Sequence, residues 1–212
     1  MIEFNEFIAR IKKRLLYPLP GLKSQLKMAT IGRMVKDGFA VVPENARKAG
    51  VLVLFYPSNG SVNLVFIKRN EYPGVHSGQI SFPGGGWEEG DQDMIATALR
   101  EAEEEIGVAR DSVIPIGNLS DLYIPPSNFL VTPVIGYTDR RPDFRPDPDE
   151  VDQVLEIALE KILDKATRQE KEITIFPAIK SKVPCYYAEG SVIWGATAMI
   201  LSELNDAINQ EL

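Results

Sequence analysis

The chain has 212 residues, 44% hydrophobic and 25% charged, the balance of an ordinary folded domain, which excludes a disordered tail, a collagen-like fibre and a disulfide miniprotein. Its 30 acidic and 23 basic side chains leave a net charge of −7, which argues against non-specific binding to nucleic acid or to an anionic membrane. One cysteine, Cys185, and one histidine, His76, rule out an intramolecular disulfide, a cysteine-based zinc site and a two-histidine metal site, so any metal must be held mainly by carboxylates.

Along the chain, Phe4, Phe7, Ile8, Ile11 and Leu15 recur at helical spacing and predict an amphipathic helix over 3–16, closed by the segment Pro18 to Gly21. Acids and bases interrupt its apolar residues, so no signal peptide is read there, and no run reaches the roughly 18 apolar residues of a membrane span. These readings place the protein in the cytoplasm. Leu22 to Asn45 is weakly periodic and predicts a short helix with loops. Residues 51–57 and 61–69, VLVLFYP and SVNLVFIKR, are β-rich runs joined at Ser58-Asn59-Gly60, a hairpin that starts the main sheet. Gln79 to Phe82 is a short third run that ends in Pro83-Gly84-Gly85-Gly86, by composition a turn. Asp91 to Ile106 has helical spacing, stopped by Gly107 at C′.

Val113 to Tyr123 and Val131 to Tyr137 read as strands, and Asp139 to Asp149, with three prolines and alternating charges, as a polar loop. Val151 to Ile157 predicts a strand, Leu159 to Ala166 a short helix, Ile173 to Pro177 with Cys185 to Ala188 a strand pair, and Ala196 to Ile208 a last amphipathic helix. This order lacks the regular βαβ succession of a doubly wound fold, so the predicted fold class is α/β of the α+β type, a mixed β-sheet packed between helices. Residues 1–47 read as a helical extension packed on a main domain of 48–212.

The stretch Gly84 to Val108 holds the most informative pattern. At about 100° per residue, Ile95, Ala98, Leu99, Ala102 and Ile106 form one apolar stripe, while Glu101, Glu104 and Glu105 share another face and Glu103 points elsewhere. Glu101 and Glu105 flank the apolar stripe and so belong to the rim of a cleft. As a merely solvated face the run is awkward. Glu101 and Glu105 repel by roughly 0.2–0.5 kcal/mol, and the helix dipole disfavours Glu103, Glu104 and Glu105 by about 0.3–1 kcal/mol each. Arg100 offsets this locally through Glu104. A divalent cation turns the repulsion into coordination, because Mg²⁺ and Mn²⁺ take oxygen ligands from a few carboxylates and from substrate phosphates. The glycines one short loop ahead offer backbone that a metal or phosphate can approach closely, and no Gly-Lys-Ser/Thr follows them, which excludes a P-loop.

Gly85, five residues, Asp91, eight residues and then Arg100-Glu101-Ala102-Glu103-Glu104-Glu105-Ile106-Gly107-Val108 resembles the Nudix box, G-x5-E-x7-R-E-U-x-E-E-x-G-U with U aliphatic. The chain departs from it in having Asp for the first Glu and one extra residue before Arg-Glu, so that counting back from Arg100 puts the first acid on Gln92. Upstream, His76-Ser77-Gly78-Gln79-Ile80-Ser81-Phe82-Pro83-Gly84-Gly85 is similar to the segment before the box in Nudix coenzyme A pyrophosphatases, with Gly74 standing where that subgroup often has an arginine. Phe129 to Val134 and Asp149-Glu150-Val151 look like the same subgroup, and the resemblance covers roughly residues 48–200.

The resemblance implies a Nudix-like mixed β-sheet sandwiched between helices and a small-molecule nucleotide substrate, with no nucleic-acid or membrane partner; a homodimer stays open. It implies Mg²⁺ or Mn²⁺ held by Glu101, Glu104 and Glu105 with the Gly84 carbonyl as a further ligand, and Arg100 orienting the carboxylates. The implied reaction is hydrolysis of coenzyme A to 4′-phosphopantetheine and adenosine 3′,5′-bisphosphate. Alternatives are an ADP-ribose, nucleotide-sugar or dinucleotide pyrophosphatase, and a non-catalytic nucleotide-sensing module. The proton acceptor is Glu105, or Glu150 behind a loop that reads as a lid. Lys68, Arg69, His76 and Gly85 are the candidate substrate-binding residues, with Lys23, Lys27 or Arg33 as further contacts to the 3′-phosphate. Tyr72, Tyr123 and Phe129 are candidates for stacking on a base. His76 also reads as a hydrogen-bonding loop residue, and Cys185 as a buried strand residue.

Overall fold

The computed structural model describes residues 3–30, 35–36, 39–71, 73, 76–176 and 179–210. Helix α1 (Phe4–Arg14) buries Phe7, Ile8 and Ile11 and carries Lys12, Lys13 and Arg14 in its last turn, where the helix dipole favours cations. Helix α2 (Leu22–Gln25) runs on as a 3-10 turn to Met28, and the two-residue strands β1 (Val35–Lys36) and β2 (Phe39–Ala40) pair with each other. Strands β3 (Arg47–Ser58) and β4 (Ser61–Arg69) make the predicted hairpin over Asn59 and Gly60, both at positive φ. β5 (Ile80–Ser81) adds to β4, and β6 (Gly84–Gly86) adds to β3.

The glycine cluster is therefore a strand and not the predicted turn. Its backbone pairs with Ala49, Gly50 and Val51, which is also why β3 begins at Arg47, before the β-rich run. Helix α3 (Met94–Ile106) starts later than predicted, because Asp93 is its cap, accepting from the Ala96 N–H at 2.8 Å. Gly107 ends it at φ 70°, a left-handed conformation that favours glycine.

The predicted strand Val113 to Tyr123 is two strands, β7 (Ile114–Asn118) and β8 (Leu122–Ile124), both on β9 (Phe129–Tyr137). Asn118 faces Val134 and Leu122 faces Val131, so one extra residue must leave the ladder between them. There the Ser120 N–H donates to the buried Glu203 carboxylate, which also accepts from the Gly21 N–H and the Gln25 amide. β10 (Val151–Ala158), α4 (Leu159–Leu163), the long hairpin of β11 (Arg168–Phe176) and β12 (Ile179–Ala188), β13 (Ser191–Trp194) and α5 (Gly195–Asn209) follow. The hairpin outruns its predicted apolar pieces because charged residues such as Glu172 and Lys180 pair across it at 3.3 Å.

The main sheet is mixed, in the order β10-β4-β3-β9-β7, with β3 parallel to β9 and the other pairs antiparallel. Period two explains the continuous apolar run of β3. Leu52, Leu54 and Tyr56 pack with Ala98, Ala102 and Ile106 of α3, while Val53 and Phe55 join Phe7, Ile8 and Ile11 of α1 and Ala198, Leu201 and Leu204 of α5. The Phe7 and Phe55 rings meet edge to face at 4.9 Å. A sheet between helical layers results, with β11, β12 and β13 as a separate small sheet whose Tyr186 and Ile193 join the α1 and α5 side of the core. Among the described residues no helix is long and apolar enough to cross a membrane.

Candidate active site

Helix α3 lies against β6, and Gly85 shows how closely. A Cβ added there would sit 2.4 Å from Glu101 Oε2, so the carboxylate occupies the space a side chain would need. The obstacle is the tip of a flexible side chain, not backbone. Gly85→Ala is therefore expected to keep the melting temperature within a few degrees while displacing Glu101 and lowering kcat at least about tenfold. Thermal denaturation and turnover on the same preparation check this; an unchanged kcat would remove Glu101 from the reaction.

Arg100 organises the helix face. Its guanidinium donates to Asp91 through Nε and Nη2, to the Gly86 carbonyl at 2.8 Å and through Nη1 to Glu104 at 2.9 Å, and it forms an ion pair with Glu101 at 2.8 Å. Asp91 also accepts from the Thr97 hydroxyl and the Glu88 N–H, and these partners hold its carboxyl below the usual range, Arg100 foremost. The extra residue before Arg-Glu thus does not disturb the pairing: the acid that meets Arg100 is Asp91.

The three glutamates of the predicted shared face separate. Glu105 is 1% exposed and accepts from the Gly84 N–H at 2.8 Å and from Arg69 at 3.2 Å. Burial pushes its carboxyl up to about 7, opposed by the Gly84 N–H and Arg69 and reinforced by Glu101 and Glu150. Burial likewise raises Glu101, which Arg100 opposes. Glu104 instead stays 55% exposed on Arg100. Glu103 points away, as its helical position predicts, onto Arg110 at 2.6 Å. Among the described residues no group of three acidic, histidine or cysteine side chains forms a ready metal cage.

Glu101, Glu105, Glu150, Arg69, His76, Gly84 and Gly85 line one cavity of about 630 Å³. Its apolar wall includes Ala49 and Val51 of β3, Phe129 and Val131 of β9, and Ile200 of α5. Lys68 is not part of it. Alternation along β4 turns it away from Arg69, and it pairs with Asp152 at 2.6 Å. His76, at φ 69°, shares a hydrogen bond with Gln79. Lys27 pairs with Asp206, far along α5 from the cavity-lining Ala196 and Thr197. Tyr123 bonds Asn128 and does not line the cavity; Tyr72, Gly74 and Arg33 lie outside the described residues. Cys185 is buried in β12, as a strand residue.

The loop before Glu150 corrects the lid reading. The carbonyls of Glu105 and Ile106, left open at the end of α3, accept from the Asp147 and Arg145 N–H groups at 3.0 and 2.9 Å. Phe144 packs edge to face on Tyr56 at 5.5 Å. The segment is thus fastened to the same helix that carries the carboxylates, and in this arrangement the exposed Glu150 already lines the cavity. Sequence reasoning passed over Arg47, which stands at the cavity mouth over the Phe129 ring at 4.0 Å.

Comparison with known proteins places this arrangement. The model of the NUDIX domain matches residues 46–176. The chain is 35% identical over 173 residues to Nudix hydrolase 22, chloroplastic, of Arabidopsis thaliana, covering 78% of this chain but only 57% of that protein's length. It is 31% identical over 161 residues to the uncharacterized Nudix hydrolase NudL of Photorhabdus laumondii, covering 76% and 84% of the two. A Nudix hydrolase from M. smegmatis, RenU, shares the fold at a TM-score of 0.55 and 16% identity, over 81% of this chain and 96% of that one. With the box carboxylates and Arg100 on α3, Asp91 paired to Arg100 from the loop just ahead of it, and the domain matched across the main sheet, the chain belongs to the Nudix hydrolase family.

Proposed function

We propose that the chain hydrolyses a nucleoside-diphosphate-linked substrate with Mg²⁺ or Mn²⁺, and that coenzyme A is that substrate. The observation that carries the reading is the pair of carboxylates, the buried Glu105 and the partly buried Glu101, on the wall of a cavity large enough for a nucleotide. Burial raises the proton affinity of both, with Glu101 and Glu150 adding to the effect on Glu105 and Glu104 and Glu150 to that on Glu101, so the wall favours a cation, and hard oxygen donors fit these two metals. Glu101, Glu105 and the Gly84 carbonyl would hold the metal, and Glu104, which pairs with Arg100 and is not among the cavity-lining residues, would have to turn from that pairing to join them. When bound, the metal neutralises the diphosphate oxygens and makes water more acidic.

The chain's own groups do the rest. Arg100 fixes Glu101 and Glu104, an orienting role on the carboxylates and not contact with the reacting atoms. Arg69, which pairs with Glu105 and lines the same cavity, would offer positive charge to the diphosphate. Water adds to one phosphorus, the bridging P–O bond breaks, and the water's proton passes to a Glu105 oxygen, with Glu150 as the second acceptor on the same wall. From coenzyme A the products are 4′-phosphopantetheine and adenosine 3′,5′-bisphosphate. The subgroup-like segment from His76 to Gly85 supports this choice, since His76, Gln79, Ile80 and Gly84 line the cavity.

A panel of coenzyme A, its 3′-dephospho form, ADP-ribose and NADH, with products read by mass and EDTA as the control, tests both parts. Coenzyme A is expected to have the highest kcat/KM. A much higher value for ADP-ribose or NADH would end the coenzyme A assignment and keep the diphosphate chemistry; no turnover of any diphosphate with either metal would favour the nucleotide-sensing module.

A further inference from the structure

The cavity has a second charged end, opposite the carboxylates. Arg47, Ala49 and Val51 follow one another at period two on the same face of β3, and all three line the cavity. In the parallel register beside them, Arg47 faces Phe129 and Ala49 faces Val131, which also line it. Val51 is the partner of Gly84, whose N–H holds Glu105. From Val51 to Arg47 the strand runs roughly 13 Å. A floor of small apolar side chains thus joins the acidic end to an arginine.

Arg47, exposed at the start of β3, has two partners. Its guanidinium lies on the Phe129 ring at 4.0 Å and donates one bond to the Ser127 carbonyl at 3.0 Å. That carbonyl belongs to a turn in which Asn128, at φ 54°, donates its N–H to Pro125 and its side-chain amide to Asn45, and accepts from the Tyr123 hydroxyl. No carboxylate among the described residues pairs with Arg47, whereas Arg69, the other arginine of the cavity, is engaged by Glu105. A guanidinium with free N–H groups and no carboxylate partner, on the wall of a largely apolar cavity, suits an anion.

We propose that Arg47 is a specificity-determining residue that binds a phosphate monoester carried on the substrate's nucleoside, apart from the diphosphate that is cleaved. This rests on the reading of the cavity as a nucleotide site and names the group that makes coenzyme A its preferred substrate: the 3′-phosphate, which the 3′-dephospho form lacks. Lys68 and Lys27, committed to carboxylates outside the cavity, leave this task to Arg47.

The test compares wild type with Arg47→Gln, which keeps a planar group over Phe129. Binding of adenosine 3′,5′-bisphosphate and of 5′-AMP is measured by calorimetry with Mg²⁺ present. Wild type is expected to prefer the bisphosphate by at least about tenfold, and the variant to lose that preference while its Kd for 5′-AMP stays within about twofold. For turnover, KM for coenzyme A should rise about tenfold while kcat, and both constants for the 3′-dephospho form, hold. An unchanged preference, or equal losses for both ligands, would overturn the proposal. The binding arm is independent of turnover, so a failure of coenzyme A as substrate with the bisphosphate preference intact would count against the coenzyme A assignment alone.

Discussion

Glu105→Gln is expected to lower kcat by about three orders of magnitude and, in the metal-free protein, to flatten the dependence of stability on pH. The side chain is fully buried between the Gly84 N–H and Arg69, and an amide of the same shape can still accept a bond, so the fold is kept. What disappears is the charge. Burial raises this carboxyl from 4.5 to about 7. Between those values the folded chain retains a proton that the unfolded chain has released, so the stability this group contributes is greatest below about 4.5, falls as the pH rises through 7, and is level above it. The whole change is on the order of 3 kcal/mol. Added Mg²⁺ should raise the wild-type melting temperature more at pH 8 than at pH 5, and do little for the variant. Parallel pH profiles for the two proteins would show that the carboxyl is not protonated in the folded state. Glu103→Gln, which loses only its exposed partner Arg110, should keep kcat within about twofold. Glu150→Gln should lower kcat more than it raises KM if Glu150 shares the proton.

What the sequence discloses of this site is the part written in a single helix. A period of 3.6 residues sets Glu101 and Glu105 beside the apolar stripe and turns Glu103 away, and the structure has them so. The same period cannot tell Glu104 from Glu105: the difference comes from Arg100, which holds Glu104 outside, and from Gly84, which draws Glu105 in through a backbone N–H on another strand. Backbone donors leave no side-chain pattern. For that reason the loop ahead of Glu150 reads as a mobile segment, although its N–H groups at Arg145 and Asp147 complete the end of α3. Arg47 escaped notice because its partner Ser127 is 80 positions away and they meet only through the parallel register of β3 and β9. Three consecutive glycines have little β propensity, and their strand exists because β3 offers them a ladder, with a side chain at Gly84 excluded by the β3 backbone and one at Gly85 by the Glu101 carboxylate of α3.

Arg100→Ala is the substitution expected to damage fold and site together. The guanidinium is 11% exposed on its side chain and joins Asp91, the Gly86 carbonyl, Glu101 and Glu104. Removing it leaves Asp91, itself 6% exposed, without its counter-charge, and a broken buried pair of this kind costs about 3 kcal/mol. For a chain of this size that is a fall of about 6–12 °C in melting temperature. Because Arg100 orients the carboxylates without touching the reacting atoms, kcat/KM should fall roughly a hundredfold, and the Mg²⁺ concentration for half-maximal activity should rise. Arg100→Lys separates the two roles. An ammonium keeps the charge beside Asp91 and so recovers much of the stability, but it lacks the planar fork that serves Asp91, Gly86 and the glutamates at once, so the Mg²⁺ dependence should stay shifted. Should Arg100→Lys restore both stability and the wild-type Mg²⁺ midpoint, the arginine acts only as a charge. If Arg100→Ala lowers the melting temperature yet leaves kcat/KM unchanged at saturating Mg²⁺, the carboxylates reach their working positions without it, and Glu101 and Glu105 are set by β6 and the Gly84 N–H alone.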